Sequence, residues 1–65
     1  MAISSSAIES IDYDGQDLRV VFQDGREHIY FNVPASVVEQ LEDSMSAGAF
    51  FNAYIRQEYN SRRVN

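Results

Sequence analysis

The chain has 65 residues, of which 45% are hydrophobic, with 10 acidic and 5 basic side chains and a net charge of −5. This length suits one small domain, and the apolar content is too high for a wholly disordered chain. No apolar run approaches the length of a bilayer-spanning helix, and the lack of cysteine excludes disulfides and thiolate metal sites. Residues 1–4 have no basic region followed by an apolar core, so we expect no secretory signal, no membrane attachment and a cytoplasmic location.

Three β-strands are predicted in the first half of the chain. Alternation of apolar and polar residues indicates strands over residues 7–13, 18–22 and about 26–32. Turn-forming residues at 14–17 separate the first two strands. Asp24-Gly25 follows the second strand and best fits a two-residue hairpin turn, whose central positions both need positive φ.

The turn lengths set the predicted strand register, because residues opposite each other in an antiparallel pair share a face. A two-residue turn places Val20 opposite Ile29. The predicted core face then comprises Ile11, Tyr13, Leu18, Val20, Phe22, Ile29 and Phe31. The opposite face comprises Ser10, Asp12, Arg19, Val21, His28 and Tyr30, with Asp12, Arg19 and Tyr30 side by side. We expect this second face to stay open, either as a ligand site or as an interface between copies.

The first predicted helix starts between residues 33 and 37. Pro34 suits the first turn of a helix, and Ser36 with Glu39 has the spacing of a capping box. Apolar residues at helical spacing indicate the buried stripe Val37, Val38, Leu41 and Met45.

A second helix is predicted over residues 49–59, with Ser46 as a candidate N-cap. Its apolar face comprises Phe50, Phe51, Tyr54 and Ile55, and its polar stripe comprises Asn52, Arg56 and Tyr59. Residues 60–65 show no periodicity and are interpreted as a short C-terminal tail. The predicted fold is therefore a single α+β domain over residues 1–65, a three-stranded antiparallel β-meander followed by a helical hairpin packed on one face (βββαα).

The chemistry available to the chain is restricted. Lysine is absent, which excludes a lysine nucleophile or Schiff base, and the isolated glycines at 15, 25 and 48 form no phosphate-binding loop. His28 is the only histidine, and no nucleophile elbow accompanies it. We therefore expect a protein that is not an enzyme, with no cofactor and no metal site.

Several residues together resemble the KTSC domain family. The resemblance lies in Tyr30-Phe31-Asn32-Val33-Pro34, followed by Ser46, Gly48, Phe51, Asn52, Ile55, Arg56 and Tyr59, with Ser5-Ser6-Ala7-Ile8 and Tyr13-Asp14 also in place. It implies a stand-alone copy of a domain named for the C-terminal extension of some lysyl-tRNA synthetases and also found as short bacterial and phage proteins. That context suggests RNA binding. Where the family has Tyr-x-Tyr this chain has His28-Ile29-Tyr30, which keeps a flat ring at the first position.

Two functional hypotheses follow. The first is a non-catalytic module that recognises a phosphate-bearing ligand, RNA or a nucleotide, through Arg19, His28, Tyr30, Asn52, Arg56 and Tyr59. The alternative is a small acidic phage or prophage protein that binds and inhibits a host or defence protein, because residues 1–45 carry a net charge of −7. We expect a homo-oligomer in both cases. For Arg56 a structural role, pairing with an acid of the first helix, is also open.

Overall fold

The computed structural model describes residues 6–65. Six elements follow in chain order: β1 (Ile8–Tyr13), β2 (Leu18–Phe22), β3 (Glu27–Tyr30), α1 (Ala35–Asp43), α2 (Ala47–Tyr54) and β4 (Ser61–Arg63). The strands form one antiparallel sheet in the order β1-β2-β3-β4. The predicted α+β class is confirmed. No helix among the described residues has the length and apolar content needed to cross a bilayer.

The fourth strand corrects the prediction of a C-terminal tail over residues 60–65. β4 pairs antiparallel with β3, with Arg63 opposite His28 and Ser61 opposite Tyr30. Backbone bonds extend this pairing at both ends, since Val64 N donates to the Glu27 carbonyl and Phe31 N donates to the Asn60 carbonyl, each at 2.8 Å. The strand carries no apolar alternation because all of its side chains are exposed, and backbone hydrogen bonds hold it in place.

The first hairpin has the predicted register. Tyr13 lies opposite Leu18, and Ile11 lies opposite Val20. Asp14 shapes the turn, because its Oδ1 accepts the backbone N–H of Gln16 at 2.9 Å and that of Asp17 at 2.7 Å. These two bonds lower the pKa of the Asp14 carboxyl below its ordinary value of 3.8, and the bond from Asp17 has the larger effect.

The predicted register of the second hairpin is wrong by one residue. Val20 lies opposite His28 and not opposite Ile29. The connecting loop has three residues, because Phe22 N donates to the Arg26 carbonyl at 2.8 Å and Gly25 N donates to the Phe22 carbonyl at 2.9 Å. Gly25 has a φ of +94°, the positive value that the last residue of such a loop requires.

One additional loop residue moves every side chain of β3 to the other face. His28 and Tyr30 therefore face the helices, and Ile29 lies opposite Arg19 on the outer face. Only 3% of Tyr30 is exposed, so Tyr30 takes the core position that was predicted for Ile29. The predicted neighbours Asp12 and Arg19 do lie opposite each other.

The two helices cover the inner face of the sheet. α1 begins within the predicted range, but its N-cap is Pro34 with no side-chain bond, so the predicted capping box at Ser36 is wrong. Ser46 caps α2, with its hydroxyl accepting Ala49 N, as predicted. α2 ends at Tyr54, short of the predicted residue 59.

The core joins both layers. Its buried residues are Ile8, Ile11, Leu18, Val20, Tyr30, Val33, Val38, Leu41, Ala47, Phe51 and Ile55. Met45, which was predicted to lie in the buried stripe of α1, is fully exposed, and 60% of Tyr54 is exposed. Both lie at or beyond the ends of the helices, where the stripe no longer faces the sheet.

Candidate functional site

A cavity of about 380 Å³ lies between the β2–β3 hairpin and α2. We call it the aromatic pocket and define it by the residues whose rings or polar groups line it: Phe22, Arg26, His28, Tyr30, Phe51, Asn52 and Arg56. Ser6, Ala7, Gln23 and Asp24 complete the lining. Its size falls in the range of about 300–1,000 Å³ that is usual for small-molecule sites.

Four rings form the wall of the aromatic pocket. His28 and Tyr30 are two positions apart on β3, so both point to the inner face, where they stack with centroids 6.2 Å apart and planes 19° apart. Phe51 of α2 meets Tyr30 edge to face at 5.2 Å and Phe22 at 5.5 Å. Phe22 in turn meets His28 edge to face at 5.7 Å. These contacts fix the ring positions without any contribution from a ligand.

Arg26 brings a positive charge to the hairpin side of the aromatic pocket. Its Cζ lies 5.7 Å from the centroid of the Phe22 ring, within reach of a cation–π interaction. Its Nε donates to Asp24 Oδ2 at 2.7 Å. The backbone N–H of Arg26 is the main cause of a lowered pKa of the Asp24 carboxyl, and the charges of Arg26 and Arg63 lower it further.

Arg56 brings a second positive charge from the other side. It follows α2 in the chain, and its Nη1 donates to Asn52 Oδ1 at 3.4 Å. Arg56 is exposed and forms no ion pair with any other described residue. The alternative in which Arg56 pairs with an acid of α1 therefore has no contact to support it.

The Tyr30 hydroxyl adds a polar group to the wall of four rings. It forms no hydrogen bond with another residue in the range 6–65, and no side-chain polar atom there is both buried and unpartnered, so this oxygen reaches the space of the aromatic pocket. Burial raises the pKa of the Tyr30 phenol above its ordinary value of 10.0, and the charges of Arg56 and Arg26 offset part of that rise. The hydroxyl therefore stays protonated at neutral pH and is available as a donor.

The structure brings together four of the six predicted ligand residues, namely His28, Tyr30, Asn52 and Arg56. Arg19 lies on the outer face of the sheet, where its Nε forms a 3.0 Å ion pair with Glu27 Oε2. Tyr59 lines a separate cavity beside Phe50. Tyr59 does not continue the stripe of Asn52 and Arg56, because it lies well beyond the last residue of α2, Tyr54, whereas Arg56 directly follows the C-cap Ile55.

Sequence reasoning missed three residues of the aromatic pocket. Phe22 and Phe51 were assigned to the core, which is correct but incomplete, since both also line the cavity. Arg26 was not singled out. It lies two positions before His28, so the correct hairpin register would have placed it beside the two rings.

The outer face differs from the prediction. Of the residues predicted for this face, Ser10, Asp12, Arg19 and Val21 lie on it, whereas His28 and Tyr30 lie on the inner face and Ile29 takes a position on the outer one. A smaller cavity of about 230 Å³ on this side is lined by Asp12, Asp14, Asp17, Arg19 and Ile29. Within residues 6–65 no three His, Cys, Asp or Glu side chains are grouped so that they could hold a metal ion.

Comparison with known proteins identifies the family. The KTSC domain model matches residues 4–59. A lysine–tRNA ligase of Nostoc punctiforme is 32% identical over 62 residues, which cover 92% of this chain and 11% of the ligase. A protein of Tsukamurella paurometabola is 33% identical over 61 residues, which cover 91% of each chain.

A solved structure agrees with these sequence matches. The crystal structure of a KTSC domain protein from Yersinia pestis is 29% identical in sequence and has a TM-score of 0.88. The superposition covers all of this chain and 94% of the Yersinia protein. With its sequence and its fold in agreement, the chain belongs to the KTSC domain family.

Proposed function

We propose that this protein is a non-catalytic binding module that recognises a phosphate-bearing ligand, RNA or a nucleotide, in the aromatic pocket. The observation that carries the proposal is the placement of two guanidinium groups, those of Arg26 and Arg56, on the lining of a cavity walled by four rings. A guanidinium group can donate two parallel hydrogen bonds to two oxygens of one phosphate, and an aromatic ring can stack on the flat face of a base.

The free donors of the aromatic pocket support an anionic ligand. Among residues 6–65 the Arg56 side chain has only a long hydrogen bond to Asn52, so most of its five N–H groups have no acceptor in that range. The Tyr30 hydroxyl adds another donor. A ligand rich in acceptor oxygens would satisfy these groups together.

A role without catalysis is supported by the surroundings of His28. Its ring contacts are those to Phe22 and Tyr30, and within the described residues it hydrogen-bonds to no serine or carboxylate. A histidine acting as a general base needs a partner that it can deprotonate and usually a carboxylate that orients it. Ring stacking is the role for which this geometry is suited.

The similarity to a lysine–tRNA ligase keeps RNA among the candidate ligands. That enzyme, by its name, acts on a tRNA, and this chain matches 11% of its length. The acidic protein-binding alternative is less well supported, because Asp14 and Asp24 accept backbone N–H bonds within their turns and Asp17 accepts the backbone N–H of Asn32. Self-association stays a prediction and would use Val21 and Ile29 on the outer face.

Calorimetric titration tests the proposal. The probes are the four ribonucleoside 5′-monophosphates and a ten-nucleotide mixed oligoribonucleotide. We expect Arg56→Ala to weaken the binding of whichever probe binds by about 1.5–3 kcal/mol, the usual range for hydrogen bonds to charged groups. Arg56→Lys should retain only part of the affinity, because lysine keeps the positive charge but lacks the planar guanidinium group that donates two hydrogen bonds to one phosphate.

Arg19→Ala is the matched control, since it removes the same charge from the outer face. It should leave the affinity unchanged. Failure of every probe to bind wild-type protein at millimolar concentration would reject the proposal, and so would equal losses in Arg56→Ala and Arg19→Ala.

A further inference from the structure

Asp24 is a built-in competitor for the charge of Arg26. Its Oδ2 lies 2.7 Å from Arg26 Nε, and both side chains are about half exposed at the rim of the aromatic pocket. Exposed pairs of this kind contribute little to stability, so a stronger anion can displace the carboxylate at low cost. Arg26 is therefore paired with Asp24 when no ligand is bound, but it can exchange this partner for a phosphate.

The charges around the aromatic pocket favour an anion that carries more than one negative charge. Arg26 and Arg56 line it, and the register of β4 places Arg63 opposite His28, on the same face of the sheet. Asp24 is the one acidic residue among the described residues that line the cavity. A terminal phosphate monoester carries about −1.5 to −2 at neutral pH and offers three acceptor oxygens. A phosphodiester within a strand offers one charge and two free oxygens.

The rings of the aromatic pocket leave room for a single base. RNA-binding sheets hold successive bases on rings that lie flat on an open face. Here Tyr30 and Phe51 are each 3% exposed and pack edge to face, so neither presents an open ring surface. His28 and Phe22 are the half-buried rings that a base can reach, and they also meet at right angles. The cavity of about 380 Å³ lies near the lower end of the usual range for small-molecule sites, which suits one base and not a run of stacked bases.

We infer that the aromatic pocket takes a free nucleotide with a terminal phosphate monoester, and that this phosphate displaces Asp24 from Arg26. The inference rests on the proposed function and narrows its ligand class. The base packs against His28 and Phe22, and the phosphate lies between Arg26 and Arg56. Asp24 sets the affinity by competing with the phosphate.

Asp24→Asn tests the competition without breaking the hairpin. Asp24 Oδ1 accepts the backbone N–H of Arg26 at 3.0 Å, and an asparagine oxygen can accept the same bond. The substitution removes only the charge that holds Arg26. We expect Asp24→Asn to bind adenosine 5′-monophosphate about two- to fivefold more tightly, the factor that corresponds to the loss of one exposed ion pair.

Asp12→Asn is the matched control, because it makes the same charge change on the outer face. It should change the affinity much less than Asp24→Asn does. The competition is rejected if the two variants shift the affinity equally or if Asp24→Asn binds no more tightly than wild type.

The ligand class is tested by calorimetry with adenosine, adenosine 5′-monophosphate, 2′,3′-cyclic adenosine monophosphate and an oligoadenylate of ten nucleotides with no terminal phosphate. The monoester should bind at least tenfold more tightly than the other three. An oligoadenylate that binds more tightly than the monoester overturns this inference and leaves the proposed function standing. If no phosphate-bearing probe binds, both are rejected.

Discussion

Tyr13 and Tyr30 allow the same chemical change to be made at two positions with opposite expected results. Tyr13 Oη donates to the carbonyl oxygen of Val33 at 2.5 Å and so ties the end of β1 to the segment that enters α1. Tyr30 Oη has no partner among residues 6–65 and lines the aromatic pocket. Replacing each tyrosine by phenylalanine removes one oxygen and keeps the ring.

The expected magnitudes follow from these contacts. Tyr13→Phe removes a hydrogen bond whose acceptor belongs to a residue only 1% exposed, so the free energy of unfolding should fall by about 1–2 kcal/mol. For a domain of this size each kcal/mol corresponds to a fall in Tm of about 4–8 °C. Tyr30→Phe leaves no group of residues 6–65 without its hydrogen-bond partner, and its stability should stay within about 0.5 kcal/mol of wild type.

Binding should show the opposite order. Loss of the Tyr30 hydroxyl removes one donor to the ligand, and the affinity for adenosine 5′-monophosphate should fall about tenfold, the equivalent of one hydrogen bond to a charged group. Folded Tyr13→Phe should bind like wild type. Thermal melts by circular dichroism and calorimetric titrations at 25 °C measure both quantities. Equal losses of Tm in the two variants, or unchanged binding by Tyr30→Phe, would refute this reasoning.

Three further predictions concern the fold. Gly25→Ala should lower stability by about 1–2 kcal/mol, seen in urea unfolding, because φ is +94° although the added Cβ meets nothing within 4 Å; a neutral result would contradict the three-residue loop. The lowered pKa values of Asp14 and Asp24 mean that their stabilising contribution is present above pH 3.8 and is lost as the pH falls through the lower folded-state values. As the pH falls below 3.8, the free energy of unfolding should therefore decrease more in wild type than in the double variant Asp14→Asn/Asp24→Asn. Equal decreases in the two proteins would contradict this prediction. Removal of residues 61–65 should lower Tm and speed hydrogen exchange of the Glu27 amide, which donates to the Asn65 carbonyl. Unchanged exchange of that amide would count against β4.

The first hairpin was predictable from the sequence, and the second was not, for a physical reason. Asp14 to Asp17 offer one turn whose length suits both strands, and the register follows. Asp24-Gly25 fits a two-residue loop and also the end of a three-residue loop. The two registers bury either Ile29 or Tyr30, and both residues are large enough for a core. The packing of Tyr30 against Phe51, which is distant in sequence, decides between them.

The candidate site was predictable only in part. Asn52 and Arg56 come together because they are four residues apart at the end of a helix, which the sequence shows directly. The prediction that Tyr59 belongs to the site is wrong, because the end of α2 depends on tertiary packing and not on periodicity. Arg63 could not be placed, since the short strand that carries it has no side-chain pattern.

The aromatic pocket as a phosphate site is tested most directly by mapping backbone amide chemical shifts during titration with adenosine 5′-monophosphate, with adenosine as the comparison. The largest saturable changes should fall on residues 22–28 and 51–56, which carry the rings and the two arginines of the aromatic pocket. Adenosine should produce smaller changes at the same positions. Saturable changes confined to Asp12, Asp14, Asp17 and Arg19, which line the smaller cavity on the outer face, or no saturable change at all, would contradict the account.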